Sequence, residues 1–184
     1  MTPALTLEPL SRAHLPEMAA LWADPAVIRY TNITAPCTPA EAAERLDRLL
    51  ACQRGLPAPA VFAVREGAVF RGLAGCPPVD ASAGTYGLFY QLLPACWGRG
   101  LGLAAAREAL RHLEKLTPSL VLADTVAENT ASVRILERLG FACTAVRPGA
   151  FRREGRALDI WDYALRRGGS DGSALRDGPH ITEK

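Results

Sequence analysis

The run Trp97-Gly98-Arg99-Gly100-Leu101-Gly102 is the feature whose residue types and spacing most directly imply chemistry. Glycines admit positive φ and let a ligand approach the main chain closely. Successive N–H groups that open a helix form a concave site suited to a diphosphate. Arg99 adds a positive charge beside it. A nucleotide-hydrolase phosphate loop would need Gly-Lys-Ser/Thr after a longer spacer, and this sequence has none. A dinucleotide-binding turn stays open, because Gly100-x-Gly102-x-x-Ala105 fits its pattern and Asp124 follows. That fingerprint, however, starts a βαβ unit, whereas here it follows consecutive strands. The plainest alternative is a tight strand-to-helix turn.

The elements around this run must position it. Leu5 to Leu10 alternates and reads as a first strand, and Ser11 can cap a helix carrying Leu15, Met18, Leu21 and Trp22. Thr38-Pro39-Ala40-Glu41 is a capping box, and Ala42, Leu46, Leu49 and Leu50 follow on one face. Residues 60–65 and 69–74 read as a hairpin about Glu66-Gly67, and Tyr86 to Leu93 as a third strand. With no helix between them, these three predict an antiparallel meander. Residues 98–115 turn alanine-rich and helical. Ser119 to Ala123 is a short strand, and Asn129 to Leu139 a helix stopped by Gly140. Residues 141–146 and 157–165 read as strands around a turn at 148–155.

Composition narrows the function. A chain of 184 residues predicts one domain, placed at 1–167, with 168–184 expected to be a disordered tail. A net charge of +2 gives no nucleic-acid footprint. No run of 18 apolar residues is present, so no membrane span is expected. The first residues lack a basic stretch followed by an apolar one, so no secretory signal is expected and the location predicted is cytoplasmic. Cys37, Cys52, Cys76, Cys96 and Cys143 are odd in number and show no CxxC, which fits reduced thiols. His14, His112 and His180 are scattered, so no metal site is expected.

Tyr90-x-Leu92-x-Pro94-x-x-Trp97-Gly98-x-Gly100-x-Gly102 resembles the acetyl-coenzyme A motif of the GNAT N-acetyltransferase superfamily. Its Trp-Gly form is similar to the Rim-type branch, the ribosomal-protein alanine N-acetyltransferases and their relatives. Asn129-x-x-Ser132-x-x-x-Leu136-Glu137-x-Leu139-Gly140-Phe141, Asp159-x-x-x-Tyr163-x-Leu165 and the opening Leu5-x-Leu7-x-Pro9-Leu10 resemble further blocks of that family, in order. The likeness spans roughly 5–166, and four ordered blocks are specific where one would be weak.

The resemblance implies an α/β GNAT fold. Its mixed, mostly antiparallel sheet is flanked by helices and splayed between its fourth and fifth strands, here Tyr86–Leu93 and Ser119–Ala123. It implies that the pantetheine arm of acetyl-CoA bonds main-chain groups near Leu92 and Leu93. The diphosphate would meet the amides of Trp97, Gly98, Arg99, Gly100, Leu101 and Gly102, and Asn129 would approach from across the gap, doubling as a helix cap. The implied reaction is attack by a neutral primary amine on the thioester, with acetyl-CoA as co-substrate and no metal. The oxyanion would meet a main-chain donor, expected at Leu93, and the leaving thiolate would need a proton.

Many relatives use a tyrosine as that acid, and the matching residue here is Leu136. Ser132 is the Rim-type substitute and the catalytic candidate; its bland role is a small residue for close packing. Carboxylates usual in relatives are replaced by Gly87 and Ala104, leaving water, Glu128 or Asp159 as proton acceptor. That gap keeps a second reading in play, a coenzyme-binding sensor or interaction module with little turnover. The acceptor walls are expected at Asp24–Pro39 and Pro148–Arg156, with Trp22, Tyr30 and Phe151 as lining candidates. Arg147, Arg152, Arg153 and Arg156 either receive an acceptor carboxylate or form a solvated turn. Expected partners are acetyl-CoA and an amine, not nucleic acid or membrane, with a homodimer left open.

Overall fold

The computed structural model describes residues 5–167, so the tail expected at 168–184 lies outside the described residues. Nine strands form two sheets. The first has the order β1 (Leu5–Pro9), β2 (Val61–Glu66), β3 (Val69–Gly75), β6 (Phe89–Leu92), all antiparallel. The second has the order β4 (Pro78–Asp80), β5 (Thr85–Gly87), β7 (Leu120–Val126), β9 (Arg156–Arg166), β8 (Ala142–Arg153). Only β5 and β7 pair in parallel. This is the mixed, helix-flanked α/β fold that the resemblance implies. It is not the doubly wound parallel sheet of a dinucleotide domain, so that alternative is set aside.

The predicted third strand is two strands. Residues 85–87 pair with β7, while 89–92 pair with β3, and the change of partner falls at Leu88. Leu88 N–H still donates to Leu122 O at 2.8 Å. Beyond it the chain stays with β3 and β7 stays with β9, so the two sheets part. Strand β4 was not foreseen, because Pro77-Pro78 reads as a loop. Proline is tolerated there because β4 lies at a sheet edge.

Each face of the sheet carries its own helices. Helices α1 (Leu15–Ala23), α2 (Pro25–Ile28) and α3 (Pro39–Cys52) bury Met18, Leu21, Trp22, Ile28 and Leu46 against Val61 and Leu73. Helices α4 (Leu101–Leu113) and α5 (Thr130–Arg138) bury Leu101, Ala105, Ala109 and Leu136 against Val64, Ala74, Leu92 and Val121. The α3 start is the predicted capping box: Glu41 N–H donates to Thr38 Oγ1 at 3.3 Å, and Thr38 N–H to Glu41 Oε2 at 2.7 Å. The α5 end closes in a Schellman turn about Gly140 (φ +84°), with Phe141 N–H on Leu136 O and Gly140 N–H on Glu137 O, each at 3.0 Å.

Strand β8 runs to Arg153, through the Pro148-Gly149 pair that reads as a turn. The register shifts between Arg147 and Phe151 absorb those residues as an irregularity. The actual turn is only Glu154-Gly155, with φ of +52° and +75°, the two-residue hairpin geometry that follows strand twist. No helix among the described residues is long and apolar enough to cross a membrane.

Candidate active site

The glycine turn presents a ribbon of free donors. Trp97 N–H donates to Pro94 O at 3.0 Å, and the first helical bond of α4 is Ala104 N–H to Gly100 O at 3.2 Å. Between them the amides of Gly98, Arg99, Gly100, Leu101, Gly102 and Leu103 find no acceptor among the described residues. The cradle therefore runs 98–103. This corrects the expectation of 97–102: a short 3-10 turn at Pro94–Cys96 consumes the Trp97 amide, whereas the open first turn of α4 frees that of Leu103.

The three glycines serve different ends. Gly98 (φ +71°) and Gly100 (φ +77°) bend the ribbon, and a Cβ on either would meet nothing within 4 Å. The space above them is open. Gly102 lies close to α5, where a Cβ would come 2.9 Å from Ile135 Cδ1, the movable end of that side chain. An acidic diphosphate fits this cradle, as does the positive end of the α4 dipole beneath it.

Arg99 is not a free charge. It donates to both oxygens of Glu66, at 2.8 and 3.4 Å, and Arg71 joins the same carboxylate at 2.7 Å. The Arg99 and then Arg71 guanidinium groups hold the Glu66 carboxyl below its ordinary range. Sequence reading assigns Glu66 only a turn role, because Arg99 lies 33 residues away.

The gap between β6 and β7 is lined by main-chain groups of β6. Leu93 N–H donates to Arg71 O at 2.9 Å, and Leu93 O accepts from Cys96 N–H at 2.9 Å. The Leu93 N–H is thereby committed to β3, which corrects its expected role as oxyanion donor, while its carbonyl keeps a second lone pair. Antiparallel alternation then turns Gln91 and Phe89 toward β3, and Tyr90 and Leu92 into the gap. Leu92 O is met there by the indole Nε1–H of Trp97 at 2.9 Å, although that side chain is 52% exposed.

Helix α5 faces this edge. Asn129 is its N-cap, accepting from Ser132 N–H at 3.3 Å with its side-chain oxygen; its amide NH2 has no partner among the described residues. The Tyr90 hydroxyl spans the gap to Ser132 O, a long 3.4 Å bond. Burial pushes the Tyr90 phenol up to about 12, so it stays a neutral donor at working pH. The Ser132 hydroxyl makes no hydrogen bond among the described residues. Gly87 sits on β5 just before the parting of the strands, opposite Leu122. A familiar carboxylate is thus missing at the mouth of the gap itself.

The two proton-acceptor candidates are engaged elsewhere. Glu128 pairs with Arg156, and Asp159 Oδ1 accepts from Gly149 N–H at 2.9 Å. Trp22 is core, 1% exposed, with its Nε1–H on Gln91 Oε1 at 2.8 Å. Tyr30 and Phe151 are half-buried, with Arg29 and Arg153 over their rings. Of the four arginines, Arg147 pairs with Asp162, Arg156 with Glu128, and Arg153 with carbonyls of the opposite wall. Only Arg152 has no partner among the described residues, so the cluster is largely spent on structure. No group of three metal-binding side chains occurs among the described residues.

Comparison with known proteins follows the same lines. Residues 4–142 match the family described as acetyltransferase (GNAT) domain. A protein described as uncharacterized N-acetyltransferase p20, from Bacillus licheniformis, is 25% identical over 167 residues, 89% of this chain and 93% of its own. The fold is shared with yncA of Salmonella typhimurium, solved with its cofactor acetyl-CoA (TM-score 0.73, 21% identity, 92% of this chain and 99% of that one). It is shared also with RimL, the ribosomal L7/L12 α-N-protein acetyltransferase, in complex with coenzyme A (TM-score 0.78, 14% identity, 88% and 93%).

Proposed function

The chain belongs to the GNAT acetyltransferase family and is an acetyl-CoA-dependent N-acetyltransferase; from that premise we propose a Rim-like enzyme whose acceptor is the primary amine of a protein N-terminus, an amino acid or another small molecule. The observation that carries this reading is the unclaimed amide ribbon 98–103 opening beside a gap whose strand edge is unpaired. The ribbon suits the diphosphate, and the Tyr90 and Leu92 main-chain groups suit the pantetheine amides as a surrogate strand. The Asn129 amide NH2 lies on the facing side.

In the transfer step, the amine lone pair attacks the thioester carbonyl, the C–S bond breaks, and sulfur takes a proton. Leu92 N–H is the gap-facing donor suited to the developing oxyanion. Ser132, one turn into α5 with an uncommitted hydroxyl, is suited to give sulfur its proton and to recover one from the nitrogen, which sheds it as the amide forms. With Glu128 and Asp159 engaged, water takes the proton of the incoming ammonium. The Rim-like assignment draws support from Ser132 with Leu136 and from the fold shared with RimL. A polyamine finds little to bind, since Glu128, Asp159 and Asp162 around the second wall are already partnered.

The test is coenzyme release over a panel of amines that includes an alanine-initiated peptide, free amino acids and spermidine, alongside calorimetry with coenzyme A. Release with the peptide or an amino acid is expected. Coenzyme binding without release for any amine would instead support the sensor reading.

A further inference from the structure

The guanidinium of Arg153, at the last position of β8, reaches across the molecule to one irregular stretch of chain. Its Nη1 donates to Thr34 O at 3.0 Å, and its Nη2 lies 2.7 Å from Ile33 O, 2.8 Å from Thr31 O and 3.3 Å from Ile28 O. The partners are about 120 residues away in sequence and belong to the last residue of α2 and the segment that joins it to α3. That segment has few bonds of its own: Thr31 N–H and hydroxyl on Ile28 O, Ile33 N–H on the Thr31 hydroxyl, and Cys37 N–H on Trp22 O. Its carbonyls would otherwise turn to solvent without a common partner. Hydrogen bonds from a charged donor exceed neutral ones, and here three acceptors, Thr31 O, Ile33 O and Thr34 O, depend on one such donor, while Ile28 O is also met by Thr31.

The same hairpin is pinned on its other side, where Arg156 pairs with Glu128, the residue before Asn129. The tip thus connects the start of α5, which flanks the gap, to the segment facing it. Arg153 Nε is buried without a partner, so the side chain is held in place by its two terminal nitrogens. Among the described residues no carboxylate shares the contact.

We propose that Arg153 is a positioning residue that fixes the acceptor wall 28–34 against the β8–β9 hairpin, and so governs amine affinity while leaving coenzyme affinity alone. This rests on the reading that these two segments flank the amine.

The experiment compares wild type with Arg153→Met and Arg153→Lys, with Arg111→Ala on the far end of α4 as a control. Amide exchange over 28–37 needs no acceptor and is expected to quicken by about tenfold or more in Arg153→Met, the loss that follows removal of charge-assisted bonds. Arg153→Lys, which keeps the charge without the fork, should fall between. For an alanine-initiated peptide the KM should rise about as far, with kcat and the calorimetric Kd for coenzyme A little changed. Circular dichroism establishes that the variants fold. Unchanged exchange over 28–37 in both variants would overturn the clasp, and a parallel loss of coenzyme affinity would reassign Arg153 to the whole cleft. Failure of wild type to bind coenzyme A would strike the acetyltransferase reading instead, a result separable from either.

Discussion

The glycine turn and the hairpin clasp are both built on rows of main-chain polar groups without regular partners, and they are opposite in sign. The turn offers six N–H groups that nothing in the described chain accepts. The segment 28–34 offers three C=O groups without another donor, those of Thr31, Ile33 and Thr34, and Arg153 answers them. A row of orphan donors beside open space is a demand for a ligand, because such groups are rarely left unmet in a finished structure. A row of orphan acceptors already met by a cation is architecture. The 98–103 side of the cleft is therefore prepared for something from outside, and the 28–34 side is held together from within.

The sharpest way to break that contrast is chemical. If the 98–103 side is a working coenzyme cradle, the uncommitted Ser132 hydroxyl should matter to turnover and not to binding. Ser132→Ala is expected to lower kcat by about 10²-fold, the lower end of what a positioned proton donor supplies, with the calorimetric Kd for coenzyme A retained. Unchanged turnover would remove Ser132 from the chemistry and leave it a packing residue. Tyr90→Phe makes the companion variant, since its hydroxyl is committed to Ser132 O and should affect rate far less.

The next effect tests the cradle's shape. Gly100→Val puts a β-branched side chain at φ +77°, a backbone region that costs an L-residue about 1–2 kcal/mol. A Cβ there meets open space, so the damage is to backbone angle and to ligand room, not to packing. Coenzyme affinity should fall by about tenfold or more, a figure that follows from that strain, with a smaller loss in melting temperature. Gly102→Val should be milder on both counts, because it needs no left-handed backbone and its Cβ meets only the tip of the Ile135 side chain, which can turn aside.

The same contrast explains what the sequence could and could not disclose. Helix caps, the hairpin 61–75 and the glycine ribbon are local, and their signals sit within a few residues of each other. Even there the ribbon was one residue out of register, because the 3-10 turn at Pro94–Cys96 depends on how the chain leaves β6. The division of 85–92 between two sheets has no local mark at all; it arises when β7 and β3 compete for one strand. Leu93 was misread for that reason, since the direction of its N–H follows from its pairing with Arg71. The Arg153 clasp and the Glu66–Arg99 pair join residues far apart in sequence. Composition showed arginines near the hairpin but not whether they faced a ligand or a carbonyl.

A smaller effect sharpens the coenzyme side. Trp97 holds Leu92 O, the carbonyl that a pantetheine amide would seek. Trp97→Phe removes the indole N–H while keeping an aromatic ring. One neutral hydrogen bond is worth about 0.5–1.5 kcal/mol net, so coenzyme affinity should rise by roughly two- to tenfold if the indole must yield. In wild type, binding should then shift the emission of this exposed tryptophan. A fall in affinity would mean that the indole stays and packs on the ligand.

The smallest expected effect concerns Glu66, the one carboxylate that touches the cradle's own arginine. Arg99 first, and Arg71 after it, hold the Glu66 carboxyl below its ordinary value of 4.5. A carboxyl depressed on folding contributes stability that is complete above its unfolded value and is lost as pH falls through its folded one. The contribution is therefore intact at neutral pH and disappears only in acid, below about 4.5. Glu66→Gln removes that part of the acid sensitivity and also leaves two guanidinium groups unneutralised at the mouth of an anion site. Coenzyme affinity at neutral pH should then rise slightly at low salt, and its salt dependence should steepen. If Glu66→Gln weakened binding instead, the carboxylate would be holding Arg99 in its useful position, and the charge on the cradle would be set by orientation rather than by balance.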